Sequence, residues 1–178
     1  MRAFATDRDN PPHIRRHGHE AHHPPPSCAL GSTHTLGERM KLEIPEAKKL
    51  VHEMVMPIRW GDMDAMGHLN NASYMRFMET IRIEWFTQIG CDPNPQGQGP
   101  VIVNVFCNFY KQLQYPCDVR MKMYVSDAGR SSFESWATFE PVDQPGVIHA
   151  AGGATTIWVD FPAQKSAPLP DWMRAHIS

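Results

Sequence analysis

The chain has 178 residues, enough for one domain with its own core and too few for two. Its 17 basic and 19 acidic residues leave a net charge of -2 and are interspersed rather than blocked, so no basic field is available to hold a nucleic-acid backbone and nucleic acid is excluded as a partner. No apolar run is long enough to span a bilayer, no apolar core of a secretory signal stands near the N-terminus, and Cys28, Cys91, Cys107 and Cys117 show no C-x-x-C spacing, which together predict a soluble cytoplasmic protein with reduced thiols and no membrane partner.

Residues 1–39 differ from the remainder. They carry Pro11, Pro12, Pro24, Pro25 and Pro26 among His13, His17, His19, His22, His23 and His34, without a hydrophobic period. Such a segment buries too little apolar surface to fold, so it is expected to be a disordered leader or the product of a start assigned too early, with Met40 as the sensible alternative. Nothing fixes a ligand geometry for the histidines, and no metal is assigned to them. The folded domain is expected over residues 40–178.

A strand-like run covers Val51 to Trp60 and ends in the polar turn Gly61-Asp62-Met63-Asp64-Ala65-Met66-Gly67. Next, Tyr74, Phe77, Met78, Ile81 and Trp85 recur with helical spacing, Asn70 or Asn71 caps the start, and Gly90 stops the run. The opposite side of this helix carries Glu79, Arg82 and Glu84 together with Met75, Ile83 and Phe86, a distribution that predicts a mostly buried helix. After the Pro/Gly-rich stretch Cys91 to Pro100, four strands are predicted: Val101 to Tyr110, Val119 to Val125, Ser132 to Glu140 and Val147 to Val159. Val119, Met121 and Met123 alternate with Arg120 and Lys122, the pattern of an antiparallel sheet with one wet face. The run Ala150-Ala151-Gly152-Gly153-Ala154 has almost no side-chain volume and predicts close approach of another element, the helix above all. The fold class is therefore α+β: a curved antiparallel sheet of about five strands wrapped around one long central helix, in the strand, helix, four-strand order of the hot-dog fold.

The segment Arg59 to Tyr74, with its D-x-D-A-M-G-H-L-N-N core, and Phe77, Glu79, Arg82 and Trp85 below it, resembles the signature of the 4-hydroxybenzoyl-CoA thioesterase family. The similarity continues through Tyr110 to Pro116, the Gly129-Arg130-Ser131-Ser132 hairpin, Val159-Asp160-Phe161 and Leu169-Pro170, covering roughly residues 52 to 178. The resemblance implies hydrolysis of acyl-CoA thioesters to free acid and CoA, without metal or cofactor, in a homodimer or homotetramer with sites between subunits.

Asp64 matches the family's catalytic carboxylate, ionised at neutral pH and able either to attack the carbonyl or to deprotonate a water. The first amides of the helix have no partner within it and lie at its positive end, so an N–H near Asn71 can polarise the carbonyl, delivered by the tight turn that Gly67 permits. His68 and Asn70 are expected to line the site in supporting roles. Met63, Met66, Tyr74, Phe77 and Met78 suggest an adaptable apolar acyl pocket. Lys111, Arg130, Ser131 and Lys165 are candidates for the CoA phosphates, whereas Glu79 reads as the partner of an arginine. The substrate expected is an acyl-CoA, with an acyl carrier protein thioester as the alternative, because the pantetheine arm is common to both carriers. Competing readings are a hot-dog hydratase or dehydratase, whose Asn-Pro before the His is replaced here by Met66-Gly67, and a non-catalytic acyl-thioester-binding module. A haloacid-dehalogenase-type phosphatase or a metal site on Asp62, Asp64 and His68 fits poorly with one helix followed by an antiparallel sheet.

Overall fold

A computed structural model describes residues 43–178; the expected leader, its histidines and Met40 lie outside the described residues. Six strands and two helices follow in the order β1 (Lys49–Pro57), α1 (Asn71–Gln88), β2 (Gln98–Phe109), β3 (Asp118–Ser126), β4 (Ser132–Pro141), β5 (Ala150–Asp160), β6 (Lys165–Ser166) and α2 (Asp171–Ile177). The strands form one antiparallel sheet ordered β1-β3-β4-β5-β2. β6 pairs with the last residues of β5 through Val159 and Ser166. This is the α+β hot-dog architecture expected from the sequence.

Period-two alternation fixes which face of the sheet meets the helix. Val119, Met121, Met123 and Val125 of β3, with Phe133 and Phe139 of β4, are at most 1% exposed. They form one core with Tyr74, Phe77, Met78, Ile81 and Trp85 of α1. Ring contacts tie the layers together, Trp85 to Phe133 at 6.1 Å and Tyr74 to Phe139 at 5.3 Å between centroids. Asn70 caps the helix by accepting the Ala72 N–H at 2.9 Å, and Gly90 ends it with φ +74°, a value that favours glycine.

The small-residue run of β5 serves both faces of the sheet. A Cβ on Gly152 would meet Met78 Sδ at 2.9 Å and the backbone of β2, so the helix does approach closely there. A Cβ on Gly153 would meet the Trp136 ring at 2.6 Å, so this second glycine makes room for an aromatic on the outer face instead. That face is only partly wet: Glu140, 5% exposed in its side chain, pairs with Lys122 at 3.2 Å and Arg120 at 3.5 Å, and Arg120 also reaches Glu53 at 3.2 Å.

Four details differ from expectation. The first strand ends at Pro57 and a 3-10 turn spans Trp60–Asp62, because the chain must swing off the sheet toward the helix start. The last strand begins at Ala150, after a turn in which Gly146 adopts φ +83°. β6 and α2 are additional; α2 buries only Met173 and Ile177, too few positions to show a helical period. In the single chain α1 is half-covered, with seven of its 18 residues buried, so Arg76, Glu79, Ile83, Glu84 and Thr87 form an open flank. Among the described residues no helix is long and apolar enough to cross a membrane.

Candidate active site

The loop between β1 and α1 is built almost wholly by backbone groups. The Ile58 N–H donates to Cys117 O at 2.8 Å and the Leu69 N–H to Leu113 O at 2.8 Å, pinning both ends of the loop to the segment between β2 and β3. Met63 and Leu69 form an isolated antiparallel bridge, and the Asp64 N–H donates to His68 O at 2.7 Å. Gly67 closes the turn by donating to Asp64 O at 3.1 Å, with φ +77°, where a side chain would be strained.

The two aspartates of the D-x-D are used differently. Asp62 is structural: its Oδ2 accepts the Arg59 N–H at 2.8 Å, and its carbonyl accepts the Asn70 N–H at 2.9 Å and the Ser73 hydroxyl at 3.2 Å. Asp64 Oδ1 accepts two backbone amides, Met66 at 2.8 Å and His68 at 3.0 Å. No described residue donates to its Oδ2. The His68 amide holds the carboxyl below its ordinary range against a partial desolvation, helped by the Met66 amide and the nearby His68 ring. These donors favour the charged form, so Asp64 is a half-buried, oriented carboxylate with one oxygen unspent.

That carboxylate opens on a cavity of about 380 Å³ lined by Asp64, His68, Asn71, Tyr74, Phe109 and Lys111 together with Leu69, Tyr110 and Gln112. Asn71 is the first residue of α1. Its N–H, one of the amides a helix cannot satisfy internally, has no partner among the described residues. Asp64, with one carboxylate oxygen free, and Asn71, with an unpaired amide at the positive end of a helix, therefore line one cavity. This is the equipment for attacking a carbonyl carbon while its oxygen gains charge. A second, more open groove of about 580 Å³ shares Gln112 with this cavity and is lined by Gln114, Asp118, Asp143, Gln144 and His149.

Of the residues expected at the site, Asp64, His68, Asn71, Tyr74 and Lys111 border the cavity. Gly67 shapes the loop, and Asn70 spends its side chain on the helix cap. Tyr74 is packed in the core as well as lining the cavity. It is 3% exposed, its ring meets Phe109 at 4.8 Å, and burial pushes its phenol up to about 12. Arg130 and Ser131 are not brought here: they precede β4, whose Ser132 faces Ile157, whereas Phe139 at the other end of β4 faces Ala150 beside the Asp64 loop. Lys165 of β6 shares their distant end. Glu79 pairs with Arg76 at 2.7 Å on the open flank of α1, as its reading predicted. Phe109, Tyr110 and Gln112 were missed as site residues; Tyr110 and Gln112 carried a signal only as members of the resembling Tyr110 to Pro116 stretch, and Phe109 only as a residue near the end of a predicted strand.

A sequence profile described as the thioesterase-like superfamily matches residues 58–177. Among solved structures, a candidate thioesterase from Pseudomonas aeruginosa is 31% identical, with a TM-score of 0.68, covering 71% of this chain and 98% of its own. A candidate acyl-CoA thioesterase from Xanthomonas campestris is 26% identical, with a TM-score of 0.61 and coverages of 68% and 100%. The DHNA-CoA thioesterase of Staphylococcus aureus shares the fold at 21% identity, with a TM-score of 0.62 and coverages of 70% and 87%. Among curated proteins none matches the sequence.

Proposed function

The chain belongs to the thioesterase-like superfamily, and from that premise we propose that it hydrolyses acyl-CoA thioesters to free acid and CoA, as a member of the 4-hydroxybenzoyl-CoA thioesterase branch. The observation that carries this reading is Asp64: one oxygen is fixed by two amides and the other is unspent, in a residue that lines the same cavity as Asn71, whose N–H is free.

Two routes satisfy that arrangement. In one, Asp64 Oδ2 attacks the thioester carbon, the C–S bond breaks, the thiolate leaves and takes a proton from water, and a water then cleaves the resulting mixed anhydride. In the other, Oδ2 takes a proton from water as the water's oxygen attacks the same carbon, the C–S bond breaks, and the departing thiolate takes that proton back from the Asp64 carboxyl. In both, the carbonyl oxygen becomes negative and we assign the Asn71 N–H as its donor, with the positive end of α1 adding to the stabilisation. His68 fixes the carboxylate through its main-chain amide, and the apolar faces of Tyr74 and Phe109 exclude water from one side of the acyl group.

Lys111, at the cavity edge, is positioned to meet an anionic part of the carrier. Arg130 and Ser131 lie at the far end of the sheet and reach a CoA phosphate only across an assembly. A dimer fits the edge strand β2, which offers an unpaired backbone and exposed Val103, Val105 and Phe109; such an edge is ordinarily covered. Antiparallel pairing of β2 with its copy sets the start of one strand beside the Asp64 cavity of the other. In a cytoplasmic setting the substrate pool is acyl-CoA, with acyl carrier protein thioesters sharing the same arm.

The test is release of free thiol from short, long and aromatic acyl-CoAs and from the corresponding acyl carrier protein thioesters. Turnover of at least one CoA thioester supports the reading. Turnover only of carrier-protein thioesters shifts the carrier, and hydration of enoyl-CoA without thiol release moves the assignment to a hydratase.

A further inference from the structure

His149 stands immediately before β5 and is 7% exposed. The next residue, Ala150, pairs with Phe109 at the end of β2 and with Phe139 of β4, so His149 lies where three strands reach the Asp64 end of the sheet. Its own N–H extends the ladder by donating to Phe139 O at 2.8 Å. Its other bonds all reach one short segment. The His149 carbonyl accepts the Tyr110 N–H and the Lys111 N–H, each at 2.9 Å, and the ring Nδ1 lies 3.0 Å from Gln112 O. Tyr110, Lys111 and Gln112 are the consecutive residues with which the connection from β2 to β3 walls the Asp64 cavity.

A main-chain carbonyl can only accept, so the bond to Gln112 O requires the proton on Nδ1. Nε2 is fully buried and has no partner among the described residues, so no described group competes for that proton. The His149 carbonyl fixes the start of the segment and the ring fixes its end, at Gln112, which the Asp64 cavity shares with the neighbouring groove. These bonds all run within one buried corner of one chain, and none involves the β2 edge or the flank of α1. A wall held at both ends meets a ligand without first having to be ordered, which lowers the cost of binding.

We propose that His149 is a positioning residue for the acyl-CoA site: its imidazole latches Gln112 O and holds the Tyr110-Lys111-Gln112 wall where it meets the substrate. That role rests on the thioesterase reading for its substrate, whereas the latch itself does not. Because the imidazole acts through the wall and not on the reacting atoms, its loss weakens binding and spares the step at Asp64.

The test compares the full-length wild type with His149→Leu, which keeps bulk and removes the donor, and His149→Asn, whose side-chain amide restores an N–H near the place of Nδ1. The ligands are ketone analogues of octanoyl-CoA and benzoyl-CoA, in which a methylene between carbonyl and sulfur prevents hydrolysis, titrated by calorimetry. His149→Leu is expected to bind about tenfold more weakly, the equivalent of one net hydrogen bond, and His149→Asn to stay within about threefold of wild type. On a hydrolysed acyl-CoA, KM is expected to rise in His149→Leu by the same factor with kcat nearly unchanged. Nitrogen-15 correlation spectra of histidine-labelled wild type, with the signal assigned by its loss in His149→Asn, are expected to show the proton on Nδ1. A ring whose Nδ1 carries no proton overturns the proposal in the wild type alone, whether or not His149→Leu folds. Wild-type affinity in His149→Leu, equal weakening in both variants, a fall in kcat at constant KM, a changed sedimentation mass in His149→Leu, or binding of neither analogue by the wild type overturns it as well. Failure of the thioesterase reading shows separately, as a wild type that releases no thiol, because analogue binding and the Nδ1 proton are measured without turnover.

Discussion

Asp62 and Asp64 stand two positions apart and differ only in what surrounds them. Asp62 is spent on the backbone that shapes the loop, so Asp62→Ala is expected to lower stability by about 1 kcal/mol, as for loss of a capping side chain, measured by urea unfolding. Asp64 keeps one oxygen, and its carboxyl lies below the usual range because amides stabilise the charged form. On the proposed mechanism the active species is the carboxylate, present above the folded pKa and lost as pH falls through it. The pH profile of kcat/KM is therefore expected to stay flat from neutral pH down to about 4, the ordinary carboxylate region, and to fall only below it. An acid limb near neutrality would assign the reaction to another group. The motif made Asp64 legible in the sequence, but not the division of labour within the D-x-D, which depends on which backbone amides the fold turns toward each carboxylate.

At the level of elements, the signals that were read correctly are periodic and capped. α1 shows five apolar positions with helical spacing between an asparagine and a glycine, and β3 alternates without a break. What escaped notice is short or set by distant partners: β6 has two residues, α2 shows no period, and the first strand was read through Ile58 and Trp60 because apolar alternation continues where the chain has already left the sheet. Whether a strand end lies near Asp64 or at the far end of the same chain also depends on sheet order, which the strand patterns around Arg130 and Ser131 do not carry. Two predictions belong here. Gly152→Ala forces a Cβ against Met78 and the β2 backbone and is expected to cost about 1–3 kcal/mol as overpacking, seen as a lower thermal midpoint. Glu140 is held below its ordinary range by Lys122, the Gly146 N–H and Arg120, against its own burial. Its contribution is present above the unfolded-state carboxylate pKa and is lost as pH falls through the folded one. Glu140→Gln is expected to destabilise by about 1–2 kcal/mol at neutral pH, with the difference from wild type shrinking in acid.

For the whole molecule, the site is open in one chain. The flank of α1 is uncovered, β2 is an edge, and the Asp64 cavity ends at Phe109 to Gln112, where that edge strand stops. The account therefore expects at least a dimer by sedimentation. Paired substitution of Val103 and Val105 by Asp is expected to shift the mass to the monomer and lower turnover together, whereas a monomer with full activity would show that one chain suffices. The sequence carried the fold and the thioesterase-like superfamily at this scale but not the assembly, because an exposed valine in a strand pattern looks the same whether water or a second copy covers it.

The most direct measurement compares kcat/KM of wild type and Asp64→Asn on the best acyl-CoA of the panel, with folding matched by circular dichroism. The amide keeps the shape and Oδ1 but cannot act as nucleophile or base, so the account predicts a loss of about a hundredfold or more. A variant that turns over like the wild type would remove Asp64 from the chemistry and contradict the account at its centre.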